Sequence, residues 1–535
     1  MFRKQFSTPT VFVLLVFSVF LGSQIRAISE DSVYEQMRKF QDVLSYTQKY
    51  YVDEVKVGDL VESAVKGLLE DLDPHSVYIP PKQLEKVEED FQGSFEGIGI
   101  QFNILNDTIR VVTPINGGPS EKAGLQSGDK IVEIDGESAV GFSNDDVQKH
   151  LRGEKGTEVT VGVQRAGVKG LIDFTIIRDN IPLYAVDTYF MLDDGIGYMS
   201  VNRYSATTYK EFVEGLRDLK KQGMKKFVLD LRYNPGGYLE QAWRMANEFL
   251  AKGDMIVYTK GRRTELDDDY VANGAGEFQD VPLIVLINQG SASASEIVSG
   301  AVQDHDRGLV VGRTSFGKGL VQQQFPLSDG SAFRLTTAKY YTPSGRLIQR
   351  DYEGKSDEEY YMDIRNRDEE EGDNVMHTME HIDSTRPRFE TTGGRTVYGG
   401  GGITPDYIVD AGQLEEYTAK LRANMYPFIL SYMDKNGPEL RERYGKDDAD
   451  RFLKEFKVTE SLIQSLVEHG ESKGVEMNEE QFEKDKTYIR VMLKAQLARN
   501  LFGNEGFYRA TLEADPQFLK AISLFPEAEK IAGLK

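Results

Sequence analysis

The chain has 535 residues, no cysteine, 40% hydrophobic and 28% charged residues, and a formal net charge of −22. That length holds several domains, each with its own core, while the lack of cysteine removes thiol nucleophiles, disulfides and cysteine-bound zinc. The acidic balance argues against nucleic acid or an anionic membrane face as partner, because both select clustered Lys and Arg.

At the N-terminus, Arg3 and Lys4 precede an apolar run over 11–21 and a small-residue stretch ending at Ala27, the order of a secretory signal. The run falls short of the about 20 apolar residues a spanning helix needs. Residues 1–27 therefore read as a signal peptide of a periplasmic or extracytoplasmic protein. An uncleaved anchor is the alternative, because Ile25 is large for a cleavage site. Residues 28–90 read as a helical N-terminal region, with Phe40, Val43, Leu44, Leu60, Val61, Val65 and Leu68 at spacings of three and four. Over 91–178 the texture changes to short β-like runs at 98–102, 109–112, 130–134, 159–163 and 174–177, with one helix over 143–151. Strands and helices then alternate from 179 to 410, which predicts an α/β core with crossover connections. Inside that core the acidic segment 351–374 lacks apolar periodicity and reads as a solvated loop or insertion. Residues 411–535 carry long amphipathic runs and read as a separate helical domain without catalytic residues. Its apolar positions around 488–497 exceed one helical stripe and suggest a surface for an adaptor or a second protomer.

The stretch from Asn288 to Ile297 contains Ser291, Ser293 and Ser295 between an apolar strand pattern and a helix pattern. A hydroxyl at a helix N-terminus has backbone N–H groups and the positive dipole end available for a developing oxyanion. The same pattern fits a loop that merely ends in a serine N-cap. A serine needs a base to attack. None of the six histidines ends a core strand, and His305 reads as a helix C-cap. Lys318, between two glycines after the apolar run 309–312, serves as a base if desolvation lowers its pKa, with Gln322 orienting its amine. A surface or anion-binding lysine fits that pattern equally. The strand ending in Asn234, Pro235, Gly236 and Gly237 brings backbone N–H groups close enough to complete an oxyanion hole, or makes a simple strand-to-helix turn. No His-Glu-x-x-His metal pattern is present, and no metal or other cofactor is called for.

Taken together, the segments 290–297, 316–322, 231–237 and 398–406 resemble the carboxy-terminal processing (tail-specific) serine peptidases, over roughly residues 31–410. The resemblance implies Ser293 as nucleophile, Lys318 as base and Gln322 as its support, with Ala294 and Gly236 or Gly237 as oxyanion donors. Tyr233 departs from the family, in which asparagine is common, at a position expected to tolerate substitution. The expected fold is a multidomain α/β protein, its crotonase-like core of layered sheets and helices carrying an inserted PDZ domain between helical N- and C-terminal regions. In the PDZ module Gly97, Ile98, Gly99 and Ile100 would form the carboxylate-binding loop, and Val147 and Leu151 would meet the last side chain of a bound tail. The expected partners are protein substrates with exposed apolar C-terminal tails. Two other functions stay open: a PDZ scaffold with a dead core, and a Ser/Lys hydrolase of cell-wall or small peptide amides.

Overall fold

Runs such as Phe227-Val-Leu229 and Leu283-Ile-Val-Leu-Ile287 have no polar face to show water, so they settle as central strands covered on both sides. The protein is described by a computed structural model over residues 32–115, 117–371, 386–410, 412, 414–445 and 448–534; the signal or anchor assigned to residues 1–27 lies outside these. Two compact units divide it, Met1–Ile79 with Phe333–Leu335, and Pro80–Ala332 with Thr336–Lys535.

In the larger unit a six-stranded sheet runs in the order Val186–Met191, Ile196–Val201, Lys226–Asp230, Leu283–Ile287, Leu309–Gly312, Tyr407–Ile408. The first pair is antiparallel and every later pair parallel. Parallel neighbours need crossovers. Helices Thr208–Lys221, Leu239–Asn247 and Ala294–Asp304 follow three of these strands, and their apolar faces join one core on one side of the sheet, around Phe212, Leu216, Met245, Ile297 and Val298. A smaller sheet contains Met255–Gly261, Asp268–Val271, Leu320–Pro326 and Ala332–Tyr341.

The opposite face of the main sheet exposes Tyr198, Val228, Ile284, Leu286, Leu309 and Val311 to a second core, completed by Leu512, Phe518, Ala521, Leu524, Phe525 and Ala528. The helices from Leu512 onward therefore form a layer on the main sheet, although 411–535 was expected as one separate helical domain. Burying each of Leu512, Phe518 and Phe525 contributes about 1.5 to 3 kcal/mol. The long helix Glu479–Leu512 is interrupted at Gly503, whose φ of 70° and ψ of −155° are not helical. Before that break, helices Glu416–Tyr444, Ala449–Glu455 and Glu460–Ser472 form a helical subdomain, and Ile489, Met492, Leu493, Ala495 and Leu497 lie in its core.

The β-rich module carries strands Ile100–Leu105, Thr108–Pro114, Lys130–Ile134, Glu158–Gln164 and Ile172–Ile177 in that spatial order, with helix Asn144–Leu151 capped by Ser143. Its entering and leaving chains pair as the antiparallel ribbon Ser94–Gly97 with Asp179–Pro182, as an inserted module requires. Arg110 of the module, its side chain nearly buried, makes a bidentate ion pair with Asp434 of the helical subdomain at 2.9 and 3.1 Å.

One expectation fails inside the core. The acidic segment at 351–374 contains helix Asp357–Glu371, and Tyr360 on it is fully buried. The reason is tertiary: Arg350 lies 3.9 Å from the centre of the Tyr360 ring, and Arg367 donates to the carbonyls of Thr314, Ser315 and Gly401. In the smaller unit, helix Val33–Tyr50 buries no residue and helix Val57–Glu70 buries Leu69. Among the described residues no helix is long and apolar enough to cross a membrane.

Candidate active site

Three neighbouring parallel strands place the site. Asp230, Ile287 and Gly312 end strands that lie side by side, so the turns leaving them emerge together at the carboxyl edge of the sheet, the usual place for a ligand in an open α/β sheet. The first turn carries Gly236 and Gly237, the second Ser293 and Ala294, the third Lys318.

The hydroxyls of the serine triplet have different duties. Ser291 is fully buried, accepts from the Asn288 N–H at 2.9 Å and donates to the Leu231 carbonyl at 2.8 Å. Ser295 is also buried and donates to the Asn234 carbonyl at 3.0 Å. Both tie the second turn to the first. Ser293 is half-exposed at the N-cap of helix Ala294–Asp304, with φ 53° and ψ −109°. That backbone conformation costs a non-glycine residue about 1 to 3 kcal/mol and is found where a site demands it.

Beside Ser293 lies Gly236, at φ 97°: a Cβ there would approach Ser293 Cβ to 2.9 Å and the Ala294 nitrogen to 3.0 Å. Only glycine leaves that space open. The Gly236 N–H itself donates to Asn234 Oδ1 at 2.9 Å, which takes it out of the expected oxyanion pair. Asn234 is fully buried and is the turn's own internal brace, donating to the Val201 carbonyl at 2.9 Å. The N–H groups of Ala294 and Gly237 have no protein acceptor among the described residues.

The third turn is held by groups that the sequence reading missed. Glu296 is fully buried, and its carboxylate accepts four bonds: from the N–H of Ser293 at 2.8 Å and of Lys318 at 2.9 Å on one oxygen, and from the Ser315 hydroxyl at 2.5 Å and the Gly317 N–H at 2.7 Å on the other. Burial pushes this carboxyl above the ordinary value, against the pull of its four donors. From the other side the Tyr340 hydroxyl, pushed well up by burial, lies 2.7 Å from the Lys318 carbonyl and 3.1 Å from that of Ser293. The half-buried Lys318 donates from Nζ to Gln322 Oε1 at 2.8 Å, as the spacing of four suggested. The Ser-x-x-Glu spacing of 293 and 296 is a capping-box signature and was legible; nothing in the sequence points to Tyr340.

Behind the first turn, Arg232 binds both oxygens of Asp230, and reaches Asp515 at 2.7 Å and Gln517 at 2.9 Å on the helical layer over the sheet. The Tyr198 hydroxyl donates to Asp230 at 2.7 Å. His305 follows helix Ala294–Asp304 as its C-cap, as expected, with Nε2 2.6 Å from the Met255 carbonyl.

Gly97, Ile98, Gly99, Ile100, Val147 and Leu151 lie apart from these turns, in the β-rich module. Gly97 adjoins the end of the module's helix, 3.5 Å from the Leu151 carbonyl to a Cβ built there. Val147 and Leu151 are buried in the module core with Ile98, so they form the floor of the module rather than an open surface. Among the described residues no group of His, Asp or Glu is arranged to hold a metal.

Comparison with known proteins agrees with this anatomy. The chain matches the model of peptidase family S41 over residues 195–357, a PDZ domain over 110–165, the activating protease CtpB N-terminal domain over 22–82, and a family of unknown function over 417–503. It is 38% identical over 335 residues to the carboxy-terminal-processing protease of Bartonella bacilliformis, covering 62% of this chain and 76% of that protein. To the carboxy-terminal processing protease CtpA of Bacillus subtilis it is 36% identical over 336 residues, 61% of this chain and 69% of the relative. Among solved structures, the photosystem II D1 C-terminal processing protease aligns at 29% identity with a TM-score of 0.33, over 58% of this chain and 89% of that one.

Proposed function

Since the chain belongs to the carboxy-terminal-processing proteases of peptidase family S41, and is thus a serine-type peptidase with a PDZ domain, we propose that it cleaves protein substrates whose C-terminal tails its PDZ domain holds, with Ser293 as nucleophile and Lys318 as base. The observation that carries this reading is the double bridge between the two residues, through the Glu296 carboxylate on their N–H groups and the Tyr340 hydroxyl at their carbonyls.

In this reading a neutral Lys318 Nζ takes the proton of Ser293 Oγ as Oγ bonds to the substrate carbonyl carbon. The carbonyl oxygen becomes an oxyanion held by the N–H of Ala294, at the positive end of its helix, and of Gly237. Collapse breaks the C–N bond, and the lysine returns its proton to the leaving amine. Water, deprotonated in turn by Lys318, then hydrolyses the acyl-enzyme. Gln322 fixes the amine. In the PDZ domain the loop of Gly97, Ile98, Gly99 and Ile100 takes the tail's carboxylate, and the tail extends along strand Ile100–Leu105. The signal-like order of residues 1–27 supports a site of action outside the cytoplasm.

The test is labelling with a serine-reactive phosphonate probe, followed by cleavage of one protein with and without an apolar C-terminal tail. Labelling abolished by Ser293→Ala, together with faster cleavage of the tailed protein, is the expected outcome. Labelling that survives Ser293→Ala removes the nucleophile assignment; equal cleavage of both proteins removes tail capture. Neither labelling nor cleavage by the wild type leaves only a PDZ scaffold, and cleavage confined to small amides leaves the hydrolase alternative.

A further inference from the structure

Tyr233 sits in the first turn between Arg232 and Asn234, at φ 60°. A left-handed backbone is cheap for glycine or asparagine and strained for a bulky residue. Strain of this kind persists where something offsets it, and the folded chain offers little: Tyr233 is 72% exposed. Its N–H bond to Asn288 Oδ1, at 2.8 Å, belongs to the backbone and is available to any residue except proline. The ring lies beside Gly290, where a Cβ would come within 3.2 Å of its Cδ1.

That placement puts an exposed aromatic ring at the entrance to the reaction centre. Gly290 opens the turn that presents Ser293, and Gly236, three residues after Tyr233, touches Ser293 itself. Tyr488 of helix Glu479–Leu512 is half-buried, its hydroxyl pushed up by burial, with Arg422 opposing that push and Tyr233 adding to it. The ring is thus exposed beside the turn that presents Ser293. A polypeptide reaching Ser293 along this turn must lay a side chain there.

We propose that Tyr233 is a specificity-determining residue, the wall against which an apolar or aromatic side chain next to the scissile bond packs. The inference rests on Ser293 as nucleophile and on peptide cleavage, and adds a selectivity at the cut. Burying an apolar side chain against a ring discriminates by about 10-fold or more over glycine.

The experiment uses the full chain and a set of peptides that the wild type cleaves, each position within three residues of the cut occupied in turn by phenylalanine, leucine or glycine. For the wild type, kcat/KM at one of these positions should favour the apolar residues; in Tyr233→Asn that preference should fall by about 10-fold, while Tyr233→Phe retains it to within about 2-fold. Relief of strain should also raise the melting midpoint of Tyr233→Asn, by about 1 to 3 °C. An unchanged preference in Tyr233→Asn overturns the proposal, as does an equal loss on all peptides, glycine included. Cleavage that persists in Ser293→Ala locates the failure in the nucleophile assignment instead, and phosphonate labelling of Ser293 in each variant confirms that the turn is formed.

Discussion

Ser293 and Lys318 donate their backbone N–H groups to one and the same oxygen, Oε2 of Glu296, at 2.8 and 2.9 Å. A buried carboxylate thereby measures the separation of two turns that lie on different strands. Glu296→Gln replaces one acceptor oxygen by an NH2 group that faces two donors, whichever way the amide is turned. Each buried donor left without a partner costs about 1 to 3 kcal/mol. The expected outcome is phosphonate labelling slowed by about 100-fold, with the helical circular dichroism retained. Labelling at the wild-type rate would show that the carboxylate has no part in aligning the site.

The serine triplet separates chemistry from scaffolding. Ser293→Ala should abolish labelling and cleavage without loss of stability. Ser291→Ala removes two buried bonds and should destabilise by about 1 to 3 kcal/mol in urea unfolding while labelling persists. Complete inactivation by Ser295→Ala in a folded enzyme would contradict the assignment of the middle hydroxyl.

Lys318→Arg keeps the positive charge but cannot release its proton at working pH. It should be inactive, and Gln322→Ala should slow turnover by about 10-fold, because it frees the amine rather than removing it. Turnover by Lys318→Arg comparable to wild type would leave the proposed dyad without a base.

Alkaline titration should reveal buried phenols. Burial raises the hydroxyls of Tyr198, Tyr204 and Tyr340 above the ordinary value of 10.0, and burial followed by the bond to Glu248 raises Tyr209 to about 12. The folded protein holds these protons where the unfolded chain would release them. Their contribution to stability is therefore complete below pH 10 and declines as the pH rises above it. Tyrosinate absorbance should show a late group of tyrosines that ionises only as the protein unfolds. Ionisation of every tyrosine in a single transition near pH 10, in a still-folded protein, would contradict this burial.

Much of the site could be read in advance because each turn advertises itself. A fully apolar strand followed by glycine and small residues leaves few local structures, so Ser293, Lys318 and the turn at Gly236 and Gly237 stand out. What those turns rest on is another matter. Glu296 serves a loop that begins about twenty residues later, and Tyr340 reaches both from a second sheet; neither distance has a periodicity. The acidic helix Asp357–Glu371 owes its place to Tyr360 and Arg367, two residues that composition hides among carboxylates. The terminal helices were visible as helices, but an amphipathic pattern shows that a face is buried and not against what.

Deleting 504–535 should therefore unfold the core rather than trim an appendage. The truncated chain loses Leu512, Phe518 and Phe525 from the sheet's second core, and Asp515 and Gln517 from Arg232. It should aggregate, and should not label. A soluble truncation that labels normally would return these helices to the role of an appended domain.

The link from Arg232 to Asp515 also sets a timetable. Translation produces Ser293, Lys318 and the turn at Gly236 and Gly237 before Asp515 and the layer of Leu512, Phe518 and Phe525 that covers the second face of their sheet. A nascent chain carries the full set of reactive groups on a sheet with one side still bare. On the proposed reading, competence to cut waits for that layer, and a polypeptide abandoned before residue 512 carries Ser293 and Lys318 on a half-covered sheet.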